Sequence, residues 1–562
     1  MQISGSRMVI EALHKEGVKC IFGYPGGAIM NVYDEVFKQN YFEHILTRHE
    51  QAAVHAADGY ARANGEVGVA FVTSGPGFTN AVTGLATAYM DSIPMVVISG
   101  QVNSTLIGTD AFQEIDAVGI SRPCTKHNYL VKDLKDLPRI LKEAFFIAKT
   151  GRPGPVLVDI PKDITAEIGE FNYPEHVDLM TYKPTVKGNP KQIKKAIKAI
   201  AKSKKPILYI GGGAISSNSS ELIREFANFS KIPAVETLMA RGVLGKYEYL
   251  LGMVGMHGTY AANMAMHEAD LIIAFGPRFD DRVTGKLSEF AKNAEVIHVD
   301  IDPSSIGKLV NIDYPIVGDL KDVLTKFLPL SKDSIHPNDF KEWRETVKEF
   351  DKLNPLTYDK TGKVLKPQWV IERVGETLGE RAIVTTDVGQ HQMWSAQFYP
   401  FSFPRQFISS GGLGTMGFGF PAALGAQRAF PDKVIINFTG DGSILMNIQE
   451  LVTASEKDMP VINIILNNSY LGMVRQWQTF FFDKRYAETD LSFQPDFVKL
   501  AESCGAKGYK VETKEEFDKA LQDAVDSKKP VLMNVIVDRL ENVLPMVPAG
   551  GTLYNMMLEF KD

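Results

Sequence analysis

The amino-acid sequence predicts an α/β protein with three doubly wound parallel-sheet domains, and three observations predict it. Short β-branched runs that are apolar on both faces recur along the chain, helix-length segments separate them, and two proline- and lysine-bearing stretches sort them into groups. A strand apolar on both faces is covered on both, which is how a parallel sheet with crossover helices reads. At 562 residues the chain is also longer than one hydrophobic core supports.

The elements follow in order. Ser4-Gly5-Ser6 precedes an amphipathic run, Met8, Val9 and Leu13, that ends at Gly17, so a capped helix opens the chain. Strands are expected at 45–47, 67–73, 95–99 and 156–160, then at 207–210, 271–275 and 296–299, then at 383–386, 434–438, 461–466 and 531–537. The stretches 173–190 and 331–366 read as linkers, which gives domains at 1–180, 190–330 and 365–562. The lysines of 191–205 read as the solvated face of a helix.

Composition excludes several classes. An apolar fraction of 44% and a charged fraction of 23% are globular values, and a net charge of -6 without a basic stripe argues against nucleic acid. Cys20, Cys124 and Cys504 are few, odd in number and far apart, which fits a reducing cytosol and not structural zinc. Neither a signal peptide nor a run of about 20 apolar residues is present, so a cytoplasmic protein that starts at Met1 is expected.

Two segments carry chemistry. The strand 434–438 runs into Thr439-Gly440-Asp441-Gly442-Ser443 and then a helical pattern at Ile448, Leu451 and Val452. Glycines let the backbone approach an anion, and a helix start offers free N–H groups. Asp441 adds negative charge that suits Mg²⁺, which takes a few carboxylate or carbonyl oxygens and leaves its other positions to phosphate and water. Asn467-Asn468 ends the next strand, at the carboxyl edge where doubly wound folds meet ligands. In the first domain, Arg48-His49-Glu50-Gln51 opens a helix. Taken singly, each segment also reads as turn or cap chemistry.

Jointly, the 440–442 and 467–468 segments resemble the diphosphate motif of the thiamine diphosphate enzymes. The resemblance implies Asp441, the Asn468 side chain and the Tyr470 carbonyl as Mg²⁺ ligands. It adds Gln390, His391, Gly440, Gly442, Ser443, Gly472 and Met473 as cofactor contacts. Gly414-Thr415-Met416-Gly417 matches the aminopyrimidine contacts, with Met416 propping the bent coenzyme and the Gly414 carbonyl receiving its amino group. Glu50 becomes the carboxylate that promotes the imino tautomer, with Gly27 and the Ser74-Gly75-Pro76-Gly77 turn facing it. In this family the two halves come from different subunits, so a homodimer or homotetramer is implied.

Along nearly the whole chain the sequence is most similar to the biosynthetic acetohydroxyacid synthases. Gly108-Thr109-Asp110-Ala111-Phe112-Gln113-Glu114 resembles that family's first-domain loop, which places Phe112 and Gln113 near substrate and Lys162 at the channel mouth. Gly211-Gly212-Gly213 and Gly276-Pro277-Arg278-Phe279-Asp280-Asp281-Arg282-Val283 resemble its FAD segment. Arg152, Thr237, Leu238, Met256, His257, Asp300, Ile301 and Asp319 are carried over as further flavin contacts. In Gly472-Met473-Val474-Arg475-Gln476-Trp477, the resemblance assigns Trp477 and Met473 to the pocket of the second 2-oxo acid, and Arg282 to that acid's carboxylate. It implies carboligation of 2-oxo acids and a small regulatory subunit. The segment 547–551 reads as a lid or a simple tail. A flavin-linked 2-oxo acid oxidase or decarboxylase, and a non-catalytic nucleotide-binding protein, are the rival readings.

Overall fold

The computed structural model of the protein describes residues 1–559. Its opening helix, Gly5–Lys15, is capped by the Ser4 hydroxyl, which accepts from the Arg7 N–H at 3.1 Å, and it buries Met8, Val9 and Leu13. Each expected run forms a strand, and the strands assemble into three parallel six-stranded sheets.

The first sheet runs Glu43–Leu46, Cys20–Gly23, Gly68–Val72, Met95–Gln101, Pro155–Pro161, His127–Leu130. The last runs Phe407–Ser409, Ala382–Thr386, Val434–Thr439, Ile462–Asn467, Val531–Ile536, Lys507–Val511. Numbered along the chain, both read 2-1-3-4-6-5, so the outer sheets share one topology despite the lack of a visible sequence repeat. The middle sheet runs Leu250–Met253, Ala234–Glu236, Pro206–Ile210, Leu271–Phe275, Glu295–Asp300, Tyr314–Val317. It reads 3-2-1-4-5-6, the order of doubly wound dinucleotide-binding sheets. Where the strand order reverses, neighbouring loops diverge and leave a crevice at the carboxyl ends. In the outer sheets that point lies between the first and third strands, and in the middle sheet between the first and fourth.

One expectation needs correction. The stretch 331–366 is not bare linker, because it contains the helix Lys341–Leu353. Trp343 and Val347 are buried there with Ala262 and Ile272, and the Trp343 indole N–H donates to the Pro206 carbonyl at 2.9 Å. Its Asp and Lys residues are the wet side of an amphipathic helix, which composition alone reads as linker. The stretch 173–190 carries neither helix nor strand up to Asn189, and the lysine-bearing helix Pro190–Lys202 buries Ile193, Ile197 and Ile200 while its lysines face out. The segment 547–551 seats on the central unit: the Val547 N–H donates to the Met256 carbonyl at 2.8 Å, and the Lys286 N–H to the Gly551 carbonyl at 2.8 Å.

The outer units meet through the helices Glu50–Asn64 and Gly419–Ala429, which cross where Gly59 and Gly425 remove side-chain bulk. A Cβ on Gly425 would overlap the Ala56 carbonyl oxygen, and one on Gly59 would overlap the Ala422 carbonyl oxygen. Backbone cannot yield there as a side chain would. Gly425→Val is therefore expected to destabilise the fold by about 3 kcal/mol. Gly362→Ala, whose new Cβ would meet only Asp359 at 3.5 Å, should leave the melting curve unchanged. Paired thermal melts check both.

Candidate active site

In the C-terminal sheet, Val434–Thr439 delivers Gly440 and then Asp441, which starts a one-turn helix, Asp441–Ile444; the helical pattern resumes at Glu450–Glu456. Asp441 is buried, and burial pushes its carboxyl up to about 7 against the opposing pull of its own backbone N–H and the Gln494 amide. Across the reversal in strand order, Asp387 clamps the crevice floor. Its carboxylate accepts from the Thr439 hydroxyl at 2.7 Å and the Gly419 N–H at 2.8 Å. Three residues on, the helix Gln390–Phe398 begins.

The next strand ends at Asn467. The Asn468 amide donates to Gln390 Oε1 at 3.1 Å, while its own oxygen accepts from the Tyr470 N–H at 3.1 Å. A Cβ on Gly472 would run into that same Gln390 oxygen and the Asn468 amide, so any side chain there would push this pair of amides apart. Gly442 lies against Leu471, with Met416 at the edge of contact, and Gly440 lies against the His391 ring. His391 Nε2 is buried without a hydrogen-bond partner, and burial lowers its pKa to about 3, so the ring is neutral. The Ser443 hydroxyl donates to the Val388 carbonyl at 3.3 Å. Gly414 holds φ +73°, and next to it the Thr415 hydroxyl meets that of Thr87 at 2.8 Å.

The expected contacts Gln390, His391, Met416, Gly440, Asp441, Gly442, Asn468 and Gly472 thus surround one crevice. Among the described residues no three His, Cys, Asp or Glu side chains cluster as a metal cage. With Asp387 engaged by Thr439 and Gly419, the crevice leaves the Asp441 carboxylate beside amide and carbonyl oxygens, a donor set that suits a hard cation and not a thiophilic one. The unpartnered His391 nitrogen and the glycine-lined floor fit a polar ligand there. Sequence reasoning missed Asp387 and Gln494. The latter donates to Asp441 Oδ2 at 2.5 Å from a loop far along the chain.

The facing half is built on the first sheet. Glu50 is the first residue of Glu50–Asn64, capped by the His49 ring, which accepts from the Gln51 N–H. Glu50 is half-buried, and its Oε2 accepts from the Asn80 amide at 2.9 Å, a partner the sequence did not suggest. A Cβ on Gly77 would sit 3.4 Å from the other oxygen. Gly26 packs against Thr73 across the reversal in strand order, whereas Gly27 is exposed with open space where a side chain would stand. Gln113, at φ +59°, lies over Gly75, and Phe112 is 89% exposed. Glu114 closes their loop by accepting from the Gly108 and Ala111 N–H groups. The loop's base is tied beside exposed Lys162, where the Ser104 N–H donates to Asp163 at 2.9 Å.

Within one chain, the hydrogen bonds of Glu50 and those of the Asp441 crevice form separate sets. The two units that carry them are tied at Glu450, whose carboxylate accepts from the Arg48 N–H at 2.8 Å. Met473 and Trp477 lie on the helix Gly472–Phe481; Met473 is half-buried and Trp477 is 37% exposed.

In the middle sheet, Gly211–Gly213 and Gly276-Pro277 face each other at the reversal in strand order, and Gly211 and Gly213 pack directly on the Gly276-Pro277 backbone. Close backbone contact explains those two glycines without a ligand. Thr237 Oγ1 beside them is buried without a partner. The Met256 N–H donates to the Arg282 carbonyl at 2.7 Å, and His257 Nδ1 lies 3.3 Å from the Pro545 carbonyl. Arg278 donates to the Met90 carbonyl at 2.7 Å and pairs with Asp280, which caps the turn holding Arg282 and buried Val283. Arg152 donates to the Ser92 hydroxyl at 2.7 Å. Leu238 and Ile301 are half-buried, and Asp300 accepts from the Asp302 N–H at 2.9 Å. Asp319 caps the helix Leu320–Lys332, so a structural role accounts for it. Arg282 and Lys162 extend into solvent.

Residues 3–120, 193–327 and 387–535 match, in that order, the N-terminal TPP binding domain, the central domain and the C-terminal TPP binding domain of the thiamine pyrophosphate enzymes. The chain is 51% identical to the acetolactate synthase large subunit of Haemophilus influenzae, over 99% of this chain and 98% of that one. It is 49% identical to the isozyme 3 large subunit of Escherichia coli over 99% and 98%. With a probable acetolactate synthase large subunit of Methanocaldococcus jannaschii it shares 50% identity over 99% and 95%. With three domain matches and relatives at this identity over almost their full length, the chain belongs to the acetolactate synthase large-subunit family of thiamine pyrophosphate enzymes.

Proposed function

We propose that the protein joins two pyruvates into 2-acetolactate with release of CO₂, or pyruvate and 2-oxobutyrate into 2-aceto-2-hydroxybutyrate, the precursors of valine, leucine and isoleucine. The observation that carries the reading is Asp441, a buried carboxylate beside Asn468 in the crevice of a chain matched end to end by acetolactate synthases. Asp441, the Asn468 side chain and the Tyr470 carbonyl would hold Mg²⁺, with the Gly440 to Ser443 backbone and His391 toward a diphosphate. When bound, thiamine diphosphate supplies the nucleophilic carbon and the electron sink for decarboxylating a 2-oxo acid.

The chain's own residues orient and exclude. Glu50 exchanges a proton at its free carboxylate oxygen with the aminopyrimidine. Phe112, Gln113, Lys162 and Arg282 receive the acids, the planar fork of Arg282 suiting a carboxylate. Glu50 and Asp441 act on one coenzyme when two copies pair, so a homodimer is the minimal active unit, and a tetramer pairs such dimers. Thr237 and the glycines at the middle reversal would hold FAD, which takes no part in the net reaction. A small regulatory subunit and a cytoplasmic location complete the reading. No described helix is long and apolar enough to cross a membrane. We place the domain limits at the ends of the linker 173–190 and near residue 365.

Purified protein given pyruvate should form acetolactate in a colour assay without consuming O₂, and its visible spectrum should show flavin. Pyruvate-dependent O₂ uptake without acetolactate would overturn the assignment. Trp477→Leu removes an indole that would pack on the extra methylene of 2-oxobutyrate, a contact worth about 1–3 kcal/mol. From mixed acids, the product ratio is expected to move about tenfold or more toward acetolactate, read by separating the two products.

A further inference from the structure

We propose that Gln494 is the positioning residue of the metal half-site, holding one oxygen of Asp441 so that the other faces the cation. The inference rests on the reading that Asp441 ligates Mg²⁺. Gln494 lies on the loop that returns after the helix Gly472–Phe481, and it is half-buried. Its amide nitrogen is 2.5 Å from Asp441 Oδ2, and its amide oxygen accepts from Asn467 Nδ2 at 2.7 Å.

An isolated glutamine amide can be turned end for end, but here a backbone group fixes the sense of the whole chain of bonds. The Ser469 N–H can only donate, and it donates to Asn467 Oδ1 at 3.0 Å. That assigns the other end of Asn467 as donor, and it serves both Asn534 Oδ1 at 2.9 Å and Gln494 Oε1. With its oxygen so engaged, Gln494 has only its NH₂ to turn toward Asp441. The relay therefore begins at the loop carrying Asn468 and Tyr470 and ends on the carboxylate, so two strands' loops are set relative to each other by side-chain amides. The same loop is pinned on either side of Tyr470, where the Leu471 N–H donates to the Thr489 carbonyl and the Leu491 N–H to the Ser469 carbonyl, each at 2.9 Å.

A residue that orients a ligand through one hydrogen bond is worth roughly 10- to 100-fold in metal affinity. Gln494→Met keeps the length and removes the amide, so Mg²⁺ titrated calorimetrically into the protein supplied with thiamine diphosphate should bind at least tenfold more weakly. Gln494→Asn, too short to span both partners, should also weaken binding, and it tests the idea if the methionine variant folds poorly. A dissociation constant within twofold of the parent in a folded variant overturns the proposal. Asp441→Asn separates the two layers. If it binds Mg²⁺ as the parent does, the reading of Asp441 is wrong and the proposal falls with it. If it binds weakly while Gln494→Met does not, the proposal alone fails. In the double variant Gln494→Met should add no further loss, because a group that acts through Asp441 has nothing left to orient; an additive loss overturns it.

Discussion

Glu50→Gln is expected to lower acetolactate formation by about 10²- to 10⁴-fold, the range of a proton-transfer group. The side chain keeps its length and shape, so the change is one of basicity. Oε2 is occupied by the Asn80 amide, which can turn its oxygen toward a glutamine N–H and keep the contact. Loss of a negative charge at the first turn of Glu50–Asn64 costs only about 0.3–1 kcal/mol in favourable dipole interaction, far short of what unfolds a domain. A drop of several orders of magnitude therefore reports chemistry. The Asp441 crevice has its own hydrogen bonds, so Mg²⁺ binding should survive in the variant. Initial rates at saturating Mg²⁺ and coenzyme, beside a calorimetric Mg²⁺ titration, check both halves, and near-normal turnover would sink the proton-relay role.

What was legible follows from what a local sequence can encode. Runs such as 95–99 and 434–438 are interior strands in which a single polar side chain, Ser99 or Asn437, interrupts apolar ones on both faces, so the sequence and the sheet agree there. Lys507–Val511 was missed because this edge strand is half wet and reads as polar chain, and Leu250–Met253 because it is only four residues long and carries a glycine, Gly252, inside it. Ala234–Glu236 was missed because three residues carry no period. In the site, Asp441 and Asn468 stood out because each follows a strand at the carboxyl edge. Asn80 and Gln494 did not, since their importance lies in a partner brought close by the fold, and Asp387, although it too follows a strand, matters through its bonds to Thr439 and Gly419. Gly211 and Gly213 show the reverse case: a cofactor-like glycine run has a sufficient reason in the contact with Gly276-Pro277, which no sequence pattern separates from ligand approach.

The second large effect is structural, at Arg62. This guanidinium is buried between Asp58, to which it is doubly bonded, and Asp91 at 2.9 Å, and it also donates to the Ser409 carbonyl at 2.9 Å. Asp91 accepts in turn from the Gly411 and Gly412 N–H groups at 3.0 and 2.7 Å, the start of the loop that carries Gly414 and Met416. Arg62→Met fills much of the volume but leaves two buried carboxylates without their cation. Breaking a buried pair in this way costs about 3–5 kcal/mol, whereas an intact one adds little over an apolar substitute. The triple variant with Asp58→Asn and Asp91→Asn, which removes the stranded charge, is therefore expected to recover most of the loss. Protonation is the other escape. Burial already raises the Asp58 carboxyl against the pull of Arg62, so without Arg62 it titrates still further above its unfolded value; acid therefore stabilises the variant relative to the parent, and the gap should narrow as pH falls from 8 toward about 5. Thermal melts across that range check the sign. A gap that does not change with pH would mean that lost packing, and not uncompensated charge, sets the cost of removing Arg62.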